Sequence, residues 1–113
     1  MDKIHKKWMA YAIKEAKISY SKKEVPVGAI IVYQNKIIAK GHNQVELLKD
    51  PTAHAEMIAI TSAANHLQNW RLNECDMYVT LEPCCMCAGA IYKSRIKNIF
   101  FGAYNELEGC VAS

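Results

Sequence analysis

The sequence contains no long apolar run. Charged residues make up 22% of its 113 positions and are spread along the chain, so no segment approaches the ~20 consecutive apolar residues that a membrane-spanning helix needs. The N-terminus has a charged helical pattern in place of the apolar segment of a secretory signal. Internal repeats, low-complexity tracts and linkers are absent as well. We therefore expect one small domain over residues 1–113, located in the cytosol.

The excess of positive over negative charge is also small. The formal net charge is only +3, which permits a polyanionic partner without requiring one. The basic residues are concentrated near the N-terminus and after the cysteine-rich segment: Lys3, Lys6, Lys7, Lys14, Lys17, Lys22 and Lys23, then Lys93, Arg95 and Lys97. Such clusters indicate either contact with phosphates or an ordinary solvated surface, and we keep both interpretations.

A disulfide framework has little support in the sequence. Cysteine occurs five times, an odd number, and three of the five lie at Cys84, Cys85 and Cys87. Without a secretory signal, such crowding favours metal binding over disulfide bonding. Cys75, Cys85 and Cys110 are expected to be packing cysteines, and His5 and His66 are expected to be surface or cap residues.

Hydrophobic periodicity predicts an N-terminal helix followed by a hairpin. Apolar residues at helical spacing follow Asp2, a suitable N-cap, and predict a helix to about Tyr20. Apolar β-branched runs at 27–33 and 36–40, on either side of Gln34-Asn35, predict two antiparallel strands joined by a tight turn.

After the hairpin, helices alternate with strands. Asp50 and Thr52 offer capping chemistry before the first of these helices. Strand–helix–strand spacing predicts parallel strands joined by right-handed crossovers. The predicted elements are a helix at about 53–65, a strand at 77–81, a helix from the cysteine motif to about 93, and a strand at 99–101.

Two short segments carry metal-ligand chemistry, His54-Ala55-Glu56 and Pro83-Cys84-Cys85-Met86-Cys87. One imidazole and a Cys-x-x-Cys pair suit Zn²⁺, which binds nitrogen at about 2.0–2.1 Å and thiolate at about 2.3 Å. Both segments open predicted helices, whose N-termini stabilise anions and so depress the pKa of a thiol. Three ligands, His54, Cys84 and Cys87, leave one position open for water, as in catalytic zinc sites.

Glu56 is predicted to move protons and not to bind the metal. Two thiolates cancel the formal charge of Zn²⁺, so the ion acidifies its water less than it would with three histidine ligands. A carboxylate two residues after His54 can then take a proton and deliver it to the substrate. The two segments together therefore predict a hydrolytic site.

Two other interpretations of these residues stay open. A closed structural zinc site would recruit a fourth protein ligand, and the candidates are Cys85, Cys75, Cys110, His42 and His66. A thioredoxin-like dithiol would also follow a strand and open a helix. That second interpretation leaves His54 and Glu56 without a role and places the motif late in the chain.

Several strings of the sequence resemble the zinc-dependent nucleoside and nucleobase deaminases. Those enzymes carry an H-x-E…P-C-x-x-C signature, which this chain has at 54–56 and 83–87. The resemblance extends from about Trp8 to Ser113 and is greatest to the bacterial tRNA adenosine deaminases within that family. The strings that carry it outside the signature lie at 24–29, 41–43, 50–53, 81–82, 88–91, 94–96 and 101–103.

The resemblance implies an α/β fold with three layers, α/β/α, of the cytidine-deaminase type. Its parts would be an N-terminal helix, an antiparallel hairpin, and parallel strands with crossover helices. One Zn²⁺ per chain and a homodimer are implied as well. Family members continue with another edge strand and terminal helices, so we expect residues 1–113 to form a single zinc-dependent deaminase domain that lacks the C-terminal part of the fold.

The implied reaction is the hydrolytic conversion of adenosine to inosine at the wobble position of a tRNA anticodon. By position, the resemblance assigns Asn43 to a hydrogen bond with the flipped base and Val25 to packing against it. The backbone at Ala55 and Pro83 would complete the pocket. Two alternatives remain: a small-molecule deaminase of guanine or cytosine type, which shares the signature, and a shortened zinc domain without turnover.

Overall fold

The computed structural model describes residues 2–112, which form a four-stranded sheet between two helical layers. Strands β1 (Gly28–Tyr33) and β2 (Lys36–His42) make the hairpin, and β3 (Cys75–Leu81) and β4 (Asn98–Ala103) follow. The order across the sheet is β2-β1-β3-β4, with β1 antiparallel to both neighbours and β3 parallel to β4. The predicted α/β class is confirmed, while Met1 and Ser113, the ends of the predicted domain, lie outside the described residues.

Four helices flank the sheet in this part of the chain: α1 (Lys3–Ser21), α2 (Val45–Leu48), α3 (Ala55–Leu67) and α4 (Cys85–Lys93). α1 begins at the predicted cap, because Oδ1 of Asp2 accepts the backbone N–H of His5 at 3.2 Å. α2 is a single turn in a segment that the sequence pattern did not mark as helical. Within residues 2–112, no helix combines the length and the apolar character that crossing a membrane would require.

The two-residue turn between β1 and β2 has the backbone conformation that is usual for hairpins of this length. The φ angles of Gln34 and Asn35 are 50° and 61°, and positive φ at both central residues is typical of the type I′ turns that join antiparallel strands. The prediction of a turn at these two positions is confirmed.

Asn43 at the end of β2 caps α3 from outside the helix. The first N–H of α3, that of Ala55, donates to Oδ1 of Asn43 at 2.7 Å. Asp50, a predicted cap, instead accepts the backbone N–H and the hydroxyl of Thr52 at 2.8 and 2.7 Å. Asp50 and Thr52 therefore stabilise the turn before α3, and Asn43 accepts the first N–H of the helix in their place.

The side chains of β1 alternate between two cores. Ile30 and Val32 face α1, where they pack with residues that include Trp8 and Tyr78. Ala29 and Ile31 point to the opposite face, toward α3 and α4. The second core is the larger: Val27, Ala29, Ile31, Ala39, Ala55, Ala59, Ala63, Leu72, Cys75, Met77, Val79 and Ile91. A sheet buried on both faces gives the three layers that were predicted.

α3 lies close to β2 because Gly41 has no side chain. A Cβ at this position would collide with the carbonyl oxygen of Ala55 and lie 2.9 Å from the backbone nitrogen of Ala59. Contacts that short force either the helix or the strand to move. The absence of a methyl at Gly41 thus brings the start of α3, next to His54, against the sheet.

Gly41→Ala should lower the free energy of unfolding by about 1–3 kcal/mol, the usual cost of an extra methyl in a packed interior. Urea unfolding followed by circular dichroism measures the change. Gly89→Ala is the matched control, since Gly89 lies exposed in α4 with nothing within 4 Å of an added Cβ. The control should be neutral or stabilising by up to about 1 kcal/mol, because alanine favours helices. Equal losses in both variants would contradict the close-approach explanation.

Candidate metal centre and substrate pocket

The starts of α3 and α4 lie side by side at the carboxyl ends of β2 and β3. His54 is the N-cap of α3 and Cys84 is the N-cap of α4, and each has an extended backbone. Neither side chain makes a capping hydrogen bond. Cys87 follows in the first turn of α4 and is fully buried. The two segments open helices as predicted, with His54 and Cys84 at the N-cap positions, one residue before the first turns.

The three predicted ligands form one metal-binding group. Nδ1 of His54 lies 3.6 Å from Sγ of Cys84 and 3.5 Å from Sγ of Cys87. A tetrahedral zinc ion with ordinary bond lengths would separate a nitrogen ligand from a sulfur ligand by about 3.6 Å. One nitrogen and two sulfurs are also the donor types that Zn²⁺ prefers. The residues present therefore fit a zinc ion in both chemistry and spacing.

The group contains three protein ligands and not four. Within residues 2–112, the His, Cys, Asp and Glu side chains close enough to hold one ion are those of His54, Cys84 and Cys87. The fourth ligands considered for a closed structural site do not join them: Cys85, Cys75, Cys110, His42 and His66. Three protein ligands are the number found in catalytic zinc sites.

Glu56 is a buried carboxyl group beside this group of ligands. Its side chain is 4% exposed, and this burial raises its pKa above the usual value, partly opposed by its hydrogen bonds to backbone and to the Cys87 thiol. Glu56 lines the same cavity as His54 and Cys84 without belonging to the metal-binding group. Its place is that of a neighbour of the metal and not of a ligand.

The thiol of Cys87 does not behave as its helix position predicts. Burial raises its pKa, and the negative charges of Glu56 and Cys84 raise it further. The expected depression by the helix N-terminus is thus outweighed in the protein without a metal, because the helix contributes only a partial positive charge. A cation between the two sulfurs would favour the thiolate form of Cys87.

A small cavity opens on one side of the metal-binding group. Its volume is about 130 Å³, well below the roughly 300–1,000 Å³ of clefts that take a whole drug-sized ligand. A space of this size suits a single ring system. The lining residues are Val25, Val27, Asn43, His54, Glu56, Leu81, Glu82, Cys84, Asn105 and Glu108.

Asn43 is held rigidly in the cavity wall. Its side-chain oxygen accepts the N–H of Ala55 at 2.7 Å, and its backbone oxygen accepts the hydroxyl of Ser19 at 2.9 Å. Both Asn43 and Ser19 are buried. With Oδ1 engaged by α3, the side-chain NH₂ is the part of Asn43 that can serve a ligand.

Ala55 and Pro83 are not among the residues that line the cavity in the described part of the chain. The N–H of Ala55 donates to Asn43, and the carbonyl oxygen of Pro83 accepts the N–H of Cys110 at 3.0 Å. Both backbones therefore support the lining residues from behind. Their direct contact with a substrate stays a prediction.

Cys85 and Cys110 are joined in a disulfide, with their Cα atoms 4.8 Å apart. The prediction that these two are packing cysteines is wrong, because the chain after β4 folds back against α4. Cys75 is buried and unpaired, as predicted. A separation of 25 residues between the paired cysteines leaves no local pattern in the sequence that identifies the pairing.

Other residues of the cavity were missed by the sequence analysis. Glu82 lines the cavity, as do Val27, Leu81 and Glu108. Only Glu82 carried a signal, since it lies two residues before Cys84 in the matching string. Asn105 and Glu108 reach the cavity through the fold of residues 104–112, which no periodicity predicts.

Comparison with known proteins gives a consistent result. A model of the cytidine and deoxycytidylate deaminase zinc-binding region matches residues 2–103. A tRNA-specific adenosine deaminase of Aquifex aeolicus is 52% identical over 106 residues, which cover 94% of this chain and 70% of that protein.

Two solved structures share the fold. One comes from biochemical and structural studies of A-to-I editing by tRNA:A34 deaminases at the wobble position of transfer RNA. It matches with a TM-score of 0.93 and 42% identity, covering 96% of this chain and 83% of that chain. Guanine deaminase from Bacillus subtilis matches with a TM-score of 0.86 and 40% identity, covering 92% of this chain and 66% of that chain.

The family match spans nearly all of the described chain, and it includes both halves of the metal-binding group and the cavity wall at Asn43. The chain therefore belongs to the cytidine and deoxycytidylate deaminase zinc-binding family.

Proposed function

We propose that this protein hydrolyses adenosine to inosine at the wobble position of a tRNA anticodon. One observation carries the proposal: an imidazole and two thiols at zinc-ligand spacing lie next to a buried carboxyl group in a cavity the size of one base. The identity of 52% to a tRNA-specific adenosine deaminase supports the choice of substrate. In this proposal His54, Cys84 and Cys87 hold one Zn²⁺.

Zinc, when bound, lowers the pKa of a coordinated water and so provides a nucleophile near neutral pH. Glu56 accepts a proton from the attacking water and delivers it to the departing amino group. Two further carboxyl groups line the cavity, those of Glu82 and Glu108. Glu82 is not available for this work because both of its oxygens accept backbone N–H groups. Glu56 and Glu82 thus have separate roles in the same cavity.

Asn43 and Val25 would orient the base. The oxygen of the Asn43 side chain is engaged by α3, so its NH₂ donates to an acceptor on the edge of the ring. Val25 is 62% exposed at the cavity, and a base that enters would cover this apolar side chain. Ala55 and Pro83 hold Asn43 and the residues after β4 in place behind the ring.

An anticodon loop suits a site of this kind. An unpaired base is extruded at little cost, whereas a base in a duplex must first be unstacked. Lys22 and Lys23 directly precede Glu24 and Val25 in sequence, and they lie at the end of α1 where they could meet phosphates beside the extruded base. A tRNA substrate would also place the reaction in the cytosol.

We also propose a homodimer. Leu47 and Leu48 on α2 are 59% and 53% exposed. An open groove of about 550 Å³ runs beside them along α3, with Met57 and Ile58 in its lining. Pairing with a second copy would remove this apolar surface from water, which favours association.

Guanine deamination is a second candidate, because the guanine deaminase from Bacillus subtilis is 40% identical over 92% of this chain. The metal-binding group and a proton-shuttling carboxyl group serve both reactions equally. The two candidates differ in how much of the substrate lies outside the cavity. A tRNA substrate leaves a whole RNA loop outside, whereas free guanine leaves nothing outside.

An anticodon stem-loop with adenosine at the wobble position should be converted to inosine with a kcat/KM at least about 10²-fold above that for free adenosine, guanine or cytidine. Contacts to the remote parts of the RNA supply binding energy that free bases cannot offer. Ammonia release and nucleoside analysis by mass spectrometry measure the outcome. A stem-loop with guanosine at that position is the control, and faster turnover of free guanine would replace the first candidate with the second.

Glu56→Gln should lower kcat by about 10²–10⁴-fold, the usual contribution of a positioned acid–base group, while zinc content stays at one per chain. The amide keeps the size of the side chain but cannot carry the proton. Glu74→Gln is the control, since Glu74 is 70% exposed and pairs only with Lys97 at 3.6 Å among the described ion pairs. Activity within tenfold of the parent protein would refute the shuttle.

Cys87→Ser should reduce zinc affinity by well over tenfold, since even changes behind the ligands cost roughly 10–100-fold. Cys75→Ser provides the matched control, because Cys75 is equally buried but lies outside the metal-binding group. Zinc per chain is measured by plasma mass spectrometry after dialysis against a weak chelator. Equal zinc content in the two variants would mean that the ligand set is wrong.

A further inference from the structure

Residues 104–112, here named the C-terminal strap, fold back over the turn that carries Cys84. Gly109 forms an antiparallel bridge with Cys84, and the N–H of Cys110 donates to the carbonyl oxygen of Pro83 at 3.0 Å. This path brings Asn105 and Glu108 into the lining of the cavity. Part of the substrate pocket is therefore built by a segment with no helix or strand of its own.

Glu82 anchors the C-terminal strap through hydrogen bonds to its backbone. Its side chain is only 1% exposed. Oε1 accepts the N–H of Asn105 at 3.2 Å, and Oε2 accepts the N–H groups of Val111 at 3.0 Å and Ala112 at 2.6 Å. These three donors come from both ends of the strap. One buried carboxylate thus closes the segment into a loop.

We propose that Glu82 is a positioning residue that holds the C-terminal strap in place as a wall of the substrate pocket. The proposal deepens the proposed function and rests on it for the identity of the substrate. Glu82 acts through Asn105 and Glu108, which face the cavity, and it does not itself touch the reacting atoms.

A carboxylate is the group best suited to this task. Both oxygens of Glu82 accept N–H groups, and hydrogen bonds to a charged acceptor are about twice as strong as those to a neutral one. A glutamine offers one oxygen and one NH₂, so either orientation places an NH₂ against at least one backbone N–H. The strap would then lose one of its attachments and meet a repulsive contact.

Gly109 completes the arrangement by allowing close contact. A Cβ at Gly109 would lie 2.5 Å from Oε1 of Glu82 and 2.5 Å from the carbonyl oxygen of Asn105. No larger residue fits there without moving the strap away from the carboxylate. Glu82 and Gly109 are therefore in close contact, and a substitution at either residue should disturb the attachment of the strap.

Glu82→Gln should release the strap while leaving the metal centre intact. We expect the amides of residues 104–112 to exchange hydrogen at least about tenfold faster, because opening the strap costs less free energy. For the anticodon stem-loop, KM should rise about tenfold and kcat should change less, since the lost interaction is with bound substrate in general. Zinc per chain should stay at the parent value.

The disulfide between Cys85 and Cys110 also ties the strap. All variants are therefore compared in a phosphine reductant that keeps these thiols reduced and leaves Glu82 as the side-chain anchor under test. Glu106→Gln is the matched control, because Glu106 is an exposed residue of the strap itself. Its exchange rates and kinetics should equal those of the parent protein.

Gly109→Ala provides the second variant should Glu82→Gln fail to fold. It leaves every charge unchanged and should give the same faster exchange and the same rise in KM. Exchange in the strap equal to that of the parent, or a KM within twofold of the parent in both variants, would overturn the proposal. Loss of zinc together with loss of the whole fold in both variants would also overturn it, because Glu82 and Gly109 would then support the domain and not the strap alone.

The two proposals fail in different ways. If the parent protein does not convert the stem-loop, the proposed function is wrong, and the exchange rates of residues 104–112 still decide the role of Glu82. If the parent is active and Glu82→Gln leaves both exchange and KM unchanged, the positioning role is wrong and the proposed function stands.

Discussion

The meeting of two helix starts is the constraint on which the site depends. His54 occupies the N-cap position of α3 and Cys84 that of α4, and Nδ1 of His54 lies 3.6 Å from Sγ of Cys84. Metal–ligand distances tolerate only about 0.2 Å of error, so the two helices must keep their separation closely. The sheet provides that rigidity, because β2 leads to one helix start and β3 to the other. Gly41 adds to it by letting α3 rest directly on β2.

Buried polar side chains around the site are tied to the backbone. Asn43 accepts the first N–H of α3, Ser19 donates to the backbone of Asn43, and Glu82 accepts three N–H groups of the strap. Burying such groups is costly unless hydrogen bonds compensate. Each of them therefore stabilises one backbone conformation strongly, and the cavity acquires a defined shape from segments that are not helices or strands. Glu56 differs, since burial raises its pKa and leaves it suited to exchange protons.

Features that depend on neighbouring residues were predicted correctly, and features that depend on residues distant in sequence were not. The cap at Asp2 and the turn at Gln34 and Asn35 depend on neighbouring residues, and both are confirmed. The disulfide of Cys85 and Cys110 depends on 25 intervening residues and was missed. The pKa of Cys87 was expected to fall at a helix start and instead rises, because burial and nearby negative charges are properties of the assembled site.

The sequence by itself determined the chemistry that is available: an imidazole, two thiols and a carboxyl group in short motifs whose spacing is that of the zinc deaminases. It also determined most helices and strands, because the period of the hydrophobic residues identifies them locally, and the resemblance to the deaminases implied their arrangement in three layers. Only the tertiary structure decided how the walls of the pocket are held in place. The cap of α3 by Asn43 and the anchoring of the strap by Glu82 join residues that are distant in sequence, and such hydrogen bonds exist only after the chain has folded and excluded water.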